Sequence, residues 1–162
     1  MVNEIISTLT IISILIGILM KCVKIKQRVV TIHHKTTLNV NKAGFGEFEF
    51  DYSNNNGVFI IGEGEYQFDT RWSKASNTSI HAYKYPQNIH SIALIKENVD
   101  LQNVKSVEGL DISSDCRVAR IGQSIIWKNI YGHYAITKIS QIKDDTRGDD
   151  CDLLKCEYII LK

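Results

Sequence analysis

Two hydrophobic rhythms divide this chain. Ile5–Met20 (IISTLTIISILIGILM) is apolar on every side and carries no charge. From about residue 37 onward, apolar positions instead recur every second residue, the period of half-buried strands. Leu38 and Val40 alternate with Thr37, Asn39 and Asn41, and Phe48, Phe50 and Tyr52 alternate with Glu47, Glu49 and Asp51. Ser53–Gly57 (SNNNG) is a turn, because Asn and Gly tolerate positive φ, so Gly46–Ile61 reads as a hairpin. Tyr66, Phe68, Thr70 and Trp72 share the next strand face. Ile80–Tyr83, Ile89–Ile95, Arg117–Ile121, Ser124–Ile130, Tyr134–Ile142 and Leu153–Leu161 are further strand-like runs. In the last of these, Leu154, Cys156, Tyr158 and Ile160 fall on one side. The segment from Lys96 to Ser114 shows neither period and reads as a long loop or a loop with a short helix. Eight or more short strands without an amphipathic helix predict a mainly β domain, an antiparallel β-sandwich or barrel.

The uniform apolar run calls for a different environment. Sixteen helical residues span about 24 Å, and a bilayer core needs roughly 20 residues. Extending the run to Asn3–Val23, with Lys21 reaching toward the headgroups, supplies them. The leader ahead of it carries Glu4 and no base, and no small-residue cleavage site follows, unlike a secretory signal. A buried helix would show an apolar stripe rather than an apolar cylinder. The expected organisation is therefore a transmembrane anchor (1–23), a basic juxtamembrane linker (24–36) and a β-rich domain (37–162). Lys21, Lys24, Lys26, Arg28, Lys35 and Lys42 follow the run with no acid before Glu47. Positive charge beside a span stays on the cytoplasmic side, which places the domain in the cytoplasm of a single-pass protein of the inner (plasma) membrane. The same bases are attracted to anionic lipid. Ser13 and Gly17, four apart with Thr10 nearby, would let two anchors approach and give a homo-oligomer.

Charge and cysteine usage narrow the function. The overall +1 is uneven: residues 5–46 hold six bases and no acid, Glu4 precedes them, and residues 47–162 are left with −4. A mildly acidic domain argues against nucleic acid as partner. Cys22, Cys116, Cys151 and Cys156 lack the paired spacing of a zinc site and are expected as reduced thiols in the cytoplasm. With the opposite orientation, a Cys116–Cys156 disulfide would come into play. Cys22 sits where juxtamembrane palmitoylation occurs.

Two polar clusters are the candidate sites. Thr70–Tyr83 offers a cation, an indole, hydroxyls, an amide, an imidazole and a phenol, so the candidate ligand-binding residues are Arg71, Trp72, Ser73, Asn77, Ser79, His81 and Tyr83. Arg71 would supply a planar fork to an anion; the competing reading is a strand connection capped by its own Ser and Asn side chains. In the second cluster, Asp144, Asp145, Asp149 and Asp150 are secondary candidates for a hard cation, but the spacing is not that of an EF-hand loop. Arg147 among them would neutralise part of the charge, and a solvated hairpin loop fits best. None of the five histidines (33, 34, 81, 90, 133) falls in a metalloprotease or zinc pattern, and no nucleophile elbow, phosphate loop or dinucleotide fingerprint is present. No motif calls for a cofactor, and no catalytic residue stands out.

The text FDTRWSKASNTSIHAY (Phe68–Tyr83), together with the Gly132–Ile139 stretch, IKDDTRGDD and the closing EYII, resembles a recurrent module of small uncharacterised bacterial proteins, often preceded by a membrane segment. That resemblance implies no activity and transfers no functional residue. The reading at this point is a membrane-anchored recognition or sensor domain, binding a small ligand or protein partner without chemistry. The alternatives are a hydrolase or nuclease-like enzyme built on His81 with a carboxylate partner, and an assembly protein joined through its anchor.

Overall fold

The computed structural model describes residues 44–104, 107 and 109–161. The anticipated anchor, basic linker, anchor–anchor contact, Cys22 and the Leu38–Val40 strand lie outside the described residues. Among those described, no helix is long and apolar enough to cross a membrane.

Nine strands form two antiparallel sheets. They are β1 (Phe45–Phe50), β2 (Val58–Ile61), β3 (Phe68–Lys74), β4 (Ser79–Tyr83), β5 (Ile89–Ile95), β6 (Cys116–Arg120), β7 (Ser124–Asn129), β8 (Tyr134–Lys143) and β9 (Leu153–Leu161). The five-stranded sheet has the order β1-β9-β8-β7-β5 and the four-stranded sheet the order β2-β3-β4-β6. The alternation predicted from sequence fixes which side faces inward. Phe48, Phe50 and Tyr52, then Phe68, Thr70 and Trp72, then Leu154, Cys156, Tyr158 and Ile160 are all buried.

The core closes between the sheets on two aromatic contacts. Trp72 of β3 meets Trp127 of β7 edge to face, centroids 5.1 Å apart at 71°, an arrangement that sets a ring edge against a π face. Each indole N–H finds a threonine: Trp72 donates to Thr70 Oγ1 and Trp127 to Thr137 Oγ1, both at 2.9 Å. Without those acceptors, each buried N–H would cost about 1–3 kcal/mol. Nearer the sandwich edge, Phe48 of β1 stacks on Phe59 of β2 at 4.2 Å.

That second contact corrects the expected hairpin. β1 pairs with β9, and β2 pairs with β3. The SNNNG turn is present, but it carries the chain from one sheet to the other rather than reversing it within one. Asn55, Asn56 and Gly57 all take positive φ. At Gly57 an added Cβ would stand 1.9 Å from the Trp72 carbonyl oxygen, so the corner accepts no side chain there. Crossing sheets sets Phe48 and Phe59 on facing layers of the core, where their rings stack.

The described residues between 97 and 110 pack over the outer face of the five-stranded sheet. Leu101, in a short 3-10 turn, is buried with Ala93, Ile126 and Ile136, and Val99, Val104, Val107 and Leu110 pack around them. A helix-cap bond from Gln102 N–H to the Asp100 carboxylate starts that turn. At its far end Arg117 of β6 reaches the Asp111 carbonyl at 2.6 Å and its carboxylate at 3.1 Å. The Ser113 hydroxyl, then the Arg117 guanidinium, holds the Asp111 carboxyl well below the usual range. The five-stranded sheet is thus covered on both faces, which explains runs such as Ile125-Ile126-Trp127, where a half-solvated strand would alternate.

Candidate functional site

The outward side chains of the four-stranded sheet bring together part of the first cluster. Cross-strand register places Val58, Arg71, Tyr83 and Cys116 in one row and Ser73, His81 and Val118 in the next. Tyr83 stacks on Tyr85 with centroids 5.2 Å apart. The Arg71 guanidinium carbon lies 6.0 Å from the Tyr83 centroid and 5.9 Å from that of Tyr85, within the range of a cation–π contact. Ser73 and Tyr83 share a hydrogen bond of 2.9 Å between their hydroxyls. Among the described residues no carboxylate lies within ion-pair distance of Arg71. The guanidinium is therefore oriented by two rings, with its fork unspent.

His81 has the Cys116 sulfur 3.5 Å from Nδ1 and the Tyr83 ring beside it. Burial pushes the Cys116 thiol up, against the opposing hydrogen bond of the Tyr83 hydroxyl, so the sulfur is a neutral thiol at neutral pH rather than an activated nucleophile. The imidazole's polar partner is this thiol; a hydrolytic site built on His81 needed a carboxylate in that place. Cys116 and Cys156 are free and belong to opposite sheets.

Two of the anticipated residues do not join this face, and a third joins only its edge. Trp72 is 1% exposed, in the core, because it sits one residue out of phase with Arg71 and Ser73 on the same strand. Asn77 is at the exposed tip of the β3–β4 turn. Ser79 opens β4 on the same side as His81 and Tyr83, opposite Arg120, but its hydroxyl bonds Ser76 Oγ at 2.7 Å, while Ser76 Oγ also accepts the backbone N–H groups of Thr78 and Ser79. The turn spends its hydroxyls on itself, as the competing reading had it. Tyr85 and Cys116, in contrast, complete the face without having been singled out. Tyr85 continues the two-residue period of His81 and Tyr83, a signal masked by the adjacent Pro86. Cys116 arrives through the β4–β6 pairing, which no local pattern announces.

The acidic loop is the β8–β9 hairpin connection and is exposed from Asp145 to Gly148, but two of its carboxylates are not solvated. Asp144 is fully buried and Asp152 nearly so, and with Asp145 their carboxylate oxygens lie within 4.8 Å of one another. Asp149 and Asp150, proposed with Asp144 and Asp145 as cation ligands, turn elsewhere. Asp149 accepts from the Asp144 backbone N–H at 2.8 Å, and Asp150 pairs with Lys143 at 2.8 Å. At the convergence point stands the Lys74 ammonium, 3.1 Å from Asp144, 2.6 Å from Asp145 and 3.0 Å from Asp152. Arg147 pairs with Asp144 from the other side. Tyr52 donates to the Lys143 carbonyl at 2.7 Å and lies 3.2 Å from Asp152 Oδ1. The three carboxylates would suit a hard cation through oxygen ligands, and the protein fills that role with its own lysine.

Electrostatics follow from that geometry. Hydrogen bonds to Asp145, Asp152 and Asp144 raise Lys74 above the ordinary lysine value, the Asp145 bond contributing most. Burial pulls the Asp144 carboxyl upward but is outweighed by the Thr146 hydroxyl, Lys74 and Arg147, so it stays well below the usual range. Lys74 lowers Asp145, and Lys143 lowers Asp150. Burial first, then Asp152, pushes the Tyr52 phenol above its ordinary value.

Neither a protein-family model, nor a curated protein, nor a solved structure matches the chain.

Proposed function

We propose that the domain is a non-catalytic recognition or sensor module that binds a protein partner through the outer face of its four-stranded sheet, with residues 1–23 holding it to the cytoplasmic side of a bacterial plasma membrane. The observation that carries this is Arg71, positioned over the stacked Tyr83 and Tyr85 rings with no carboxylate partner among the described residues. Arginine and tyrosine are enriched at the energetic centres of protein interfaces. An oriented guanidinium loses less freedom when an incoming carboxylate or phosphate engages its fork. The neutral thiol beside His81 supports binding over acid–base chemistry. The charge distribution of the sequence supports the membrane placement.

The test is affinity capture from detergent-solubilised membranes with the full chain, comparing wild type with Arg71→Ala and His81→Ala. A partner recovered by wild type and lost from both variants supports the reading. Equal recovery by all three removes this face from consideration.

A further inference from the structure

We propose that one end of the sandwich docks on the lipid interface. The Ile130–Tyr131 tip and Phe45 enter the headgroup region, and the acidic β8–β9 connection points away from the bilayer. The inference rests on the membrane placement proposed above and adds the surface that meets the lipid.

Strand register defines that end. β1 begins at Phe45, opposite Ile159 near the close of β9. β9 ends at Leu161, opposite Tyr134 at the start of β8, and Tyr134 faces Lys128 near the end of β7. The Gly44 carbonyl accepts the Ile160 N–H and fixes the entry of the chain there. The chain therefore enters the domain at the same end as the turn joining β7 to β8. Twenty residues, 24–43, separate this end from the apolar run. A tether of that length keeps the domain beside the bilayer, so weak insertion suffices.

The rim at this end is apolar. Ile130 is 57% exposed, Tyr131 56% and Phe45 38%. Half-buried Leu161 and Tyr134 stand on the strands between them. The Lys128 ammonium lies 5.5 Å from the Tyr134 ring centroid. Among the described residues it has no carboxylate partner. Tyrosine rings at headgroup level, with a lysine reaching for phosphate, are the pattern of a membrane boundary.

The backbone of the tip is already satisfied. Ile130 N–H donates to the Asn88 carbonyl and Gly132 N–H to the Asn129 carbonyl. Tyr131 and His133 N–H both donate to Asn129 Oδ1. All four distances fall between 3.0 and 3.1 Å. Leaving water therefore orphans no donor of the turn, the condition that lipid imposes on a backbone.

Charge agrees with this orientation and names the driving force. The ten residues of β8 set the acidic connection about 30 Å from the tip. That is several Debye lengths of about 8 Å, so anionic headgroups do not repel it. Glu63 and Glu65, however, lie beside the tip, where Asn129 donates to the Glu65 carbonyl. They oppose attraction by anionic lipid, so burial of apolar surface has to seat the tip.

The test reconstitutes the full chain at one copy per phosphatidylcholine nanodisc. A genetically encoded fluorescent residue stands at position 131 or, at the far end, at position 77. Lipid carrying a nitroxide near its headgroup should quench position 131 at least about threefold more than position 77, as insertion about 5–10 Å deep requires. High salt should leave that difference unchanged, and Ile130→Asp should reduce quenching at 131 at least about twofold. Equal quenching at both positions, or quenching at 131 that salt abolishes, overturns the proposal and leaves the membrane placement standing. A chain that does not stay with the disc overturns both. Emission at 131 that shifts to the blue only at two copies per disc, without quenching at one, assigns this end to a second copy instead. Should Ile130→Asp lose its far-ultraviolet circular dichroism, the comparison of positions in the otherwise wild-type chain decides alone.

Discussion

The two outer faces of the sandwich obey the same alternation and end in opposite environments. On the four-stranded sheet the outward row is Arg71, Tyr83 and Cys116, with Val118 left 46% exposed beside it. On the five-stranded sheet the outward row is Ala93, Ile126 and Ile136, sealed beneath Leu101. The difference is one of composition at every second residue. Where those positions carry a cation and phenols, the face stands open and can meet a partner. Where they carry isoleucine and alanine, the chain supplies its own cover from residues between 97 and 110. A sheet can therefore advertise, from its strand sequences alone, whether it expects one neighbour or two.

Five perturbations test this contrast and the frame that carries it. The largest effect is expected from ending the chain at Asp152. This removes β9, which lies between β1 and β8 and carries five buried apolar side chains. The shortened chain should be unfolded, and a cooperative denaturation transition in it would contradict that assignment. Next, Leu101→Ala should cost about 2–5 kcal/mol as a buried leucine truncation, whereas Val118→Ala on the open face should stay within about 0.5 kcal/mol. Urea titrations of the pair measure the contrast directly. Equal losses would mean that the loop does not cover the sheet as described.

Lys74→Met probes the end of the sandwich where the two sheets are tied. It leaves Asp144 and Asp152 buried without their shared cation, so stability at neutral pH should fall. The pH dependence carries a sign. Asp144, Asp145 and Asp150 have folded values below their unfolded ones. Their contribution is present above about pH 4 and is lost as pH falls through the folded values. Lys74 is raised on folding, so its contribution is present below about pH 10 and is lost as pH rises through its folded value. Wild type should hold a stability plateau between those limits. The variant should lose part of the alkaline decline, the remainder belonging to Tyr52, Lys143, Cys116 and Cys156, which are raised in the same sense. Denaturant midpoints across the pH range, superimposable for both chains, would show that Lys74 carries no such linkage. The smallest effect on stability belongs to Arg71→Ala, within about 0.5 kcal/mol, since its ring contacts lie on the open face.

Much of this fold was legible along the chain. Phe48-Phe50-Tyr52 and Leu154-Cys156-Tyr158-Ile160 announced their inward sides because a period of two leaves no other choice for a half-buried strand. The sheet in which each strand lies was not legible. SNNNG fits a hairpin and a sheet-to-sheet corner equally well, and it is the long-range pairing of β1 with β9 and the pairing of β2 with β3 that select the corner. The same limit applied to the sites. Arg71, Ser73, His81 and Tyr83 share a face that alternation could find, and the same alternation should have set Trp72 apart. Asp144 looked solvated because its partner, Lys74, lies some seventy residues away on β3. Cys116 reached His81 in the same non-local way. Long-range pairing is what decides whether a charged loop is a wet surface or a buried lock.

The central claim is that the open face of the four-stranded sheet is the one that meets a partner. A photocrosslinking residue placed at Val118, beside His81 on that face, tests it in living cells against the same residue at Ile130, which is also exposed but lies in the β7–β8 connection. A discrete adduct from position 118, absent from position 130 and lost on adding Arg71→Ala, is the predicted result. An adduct that persists without Arg71, or forms equally from both positions, would contradict it.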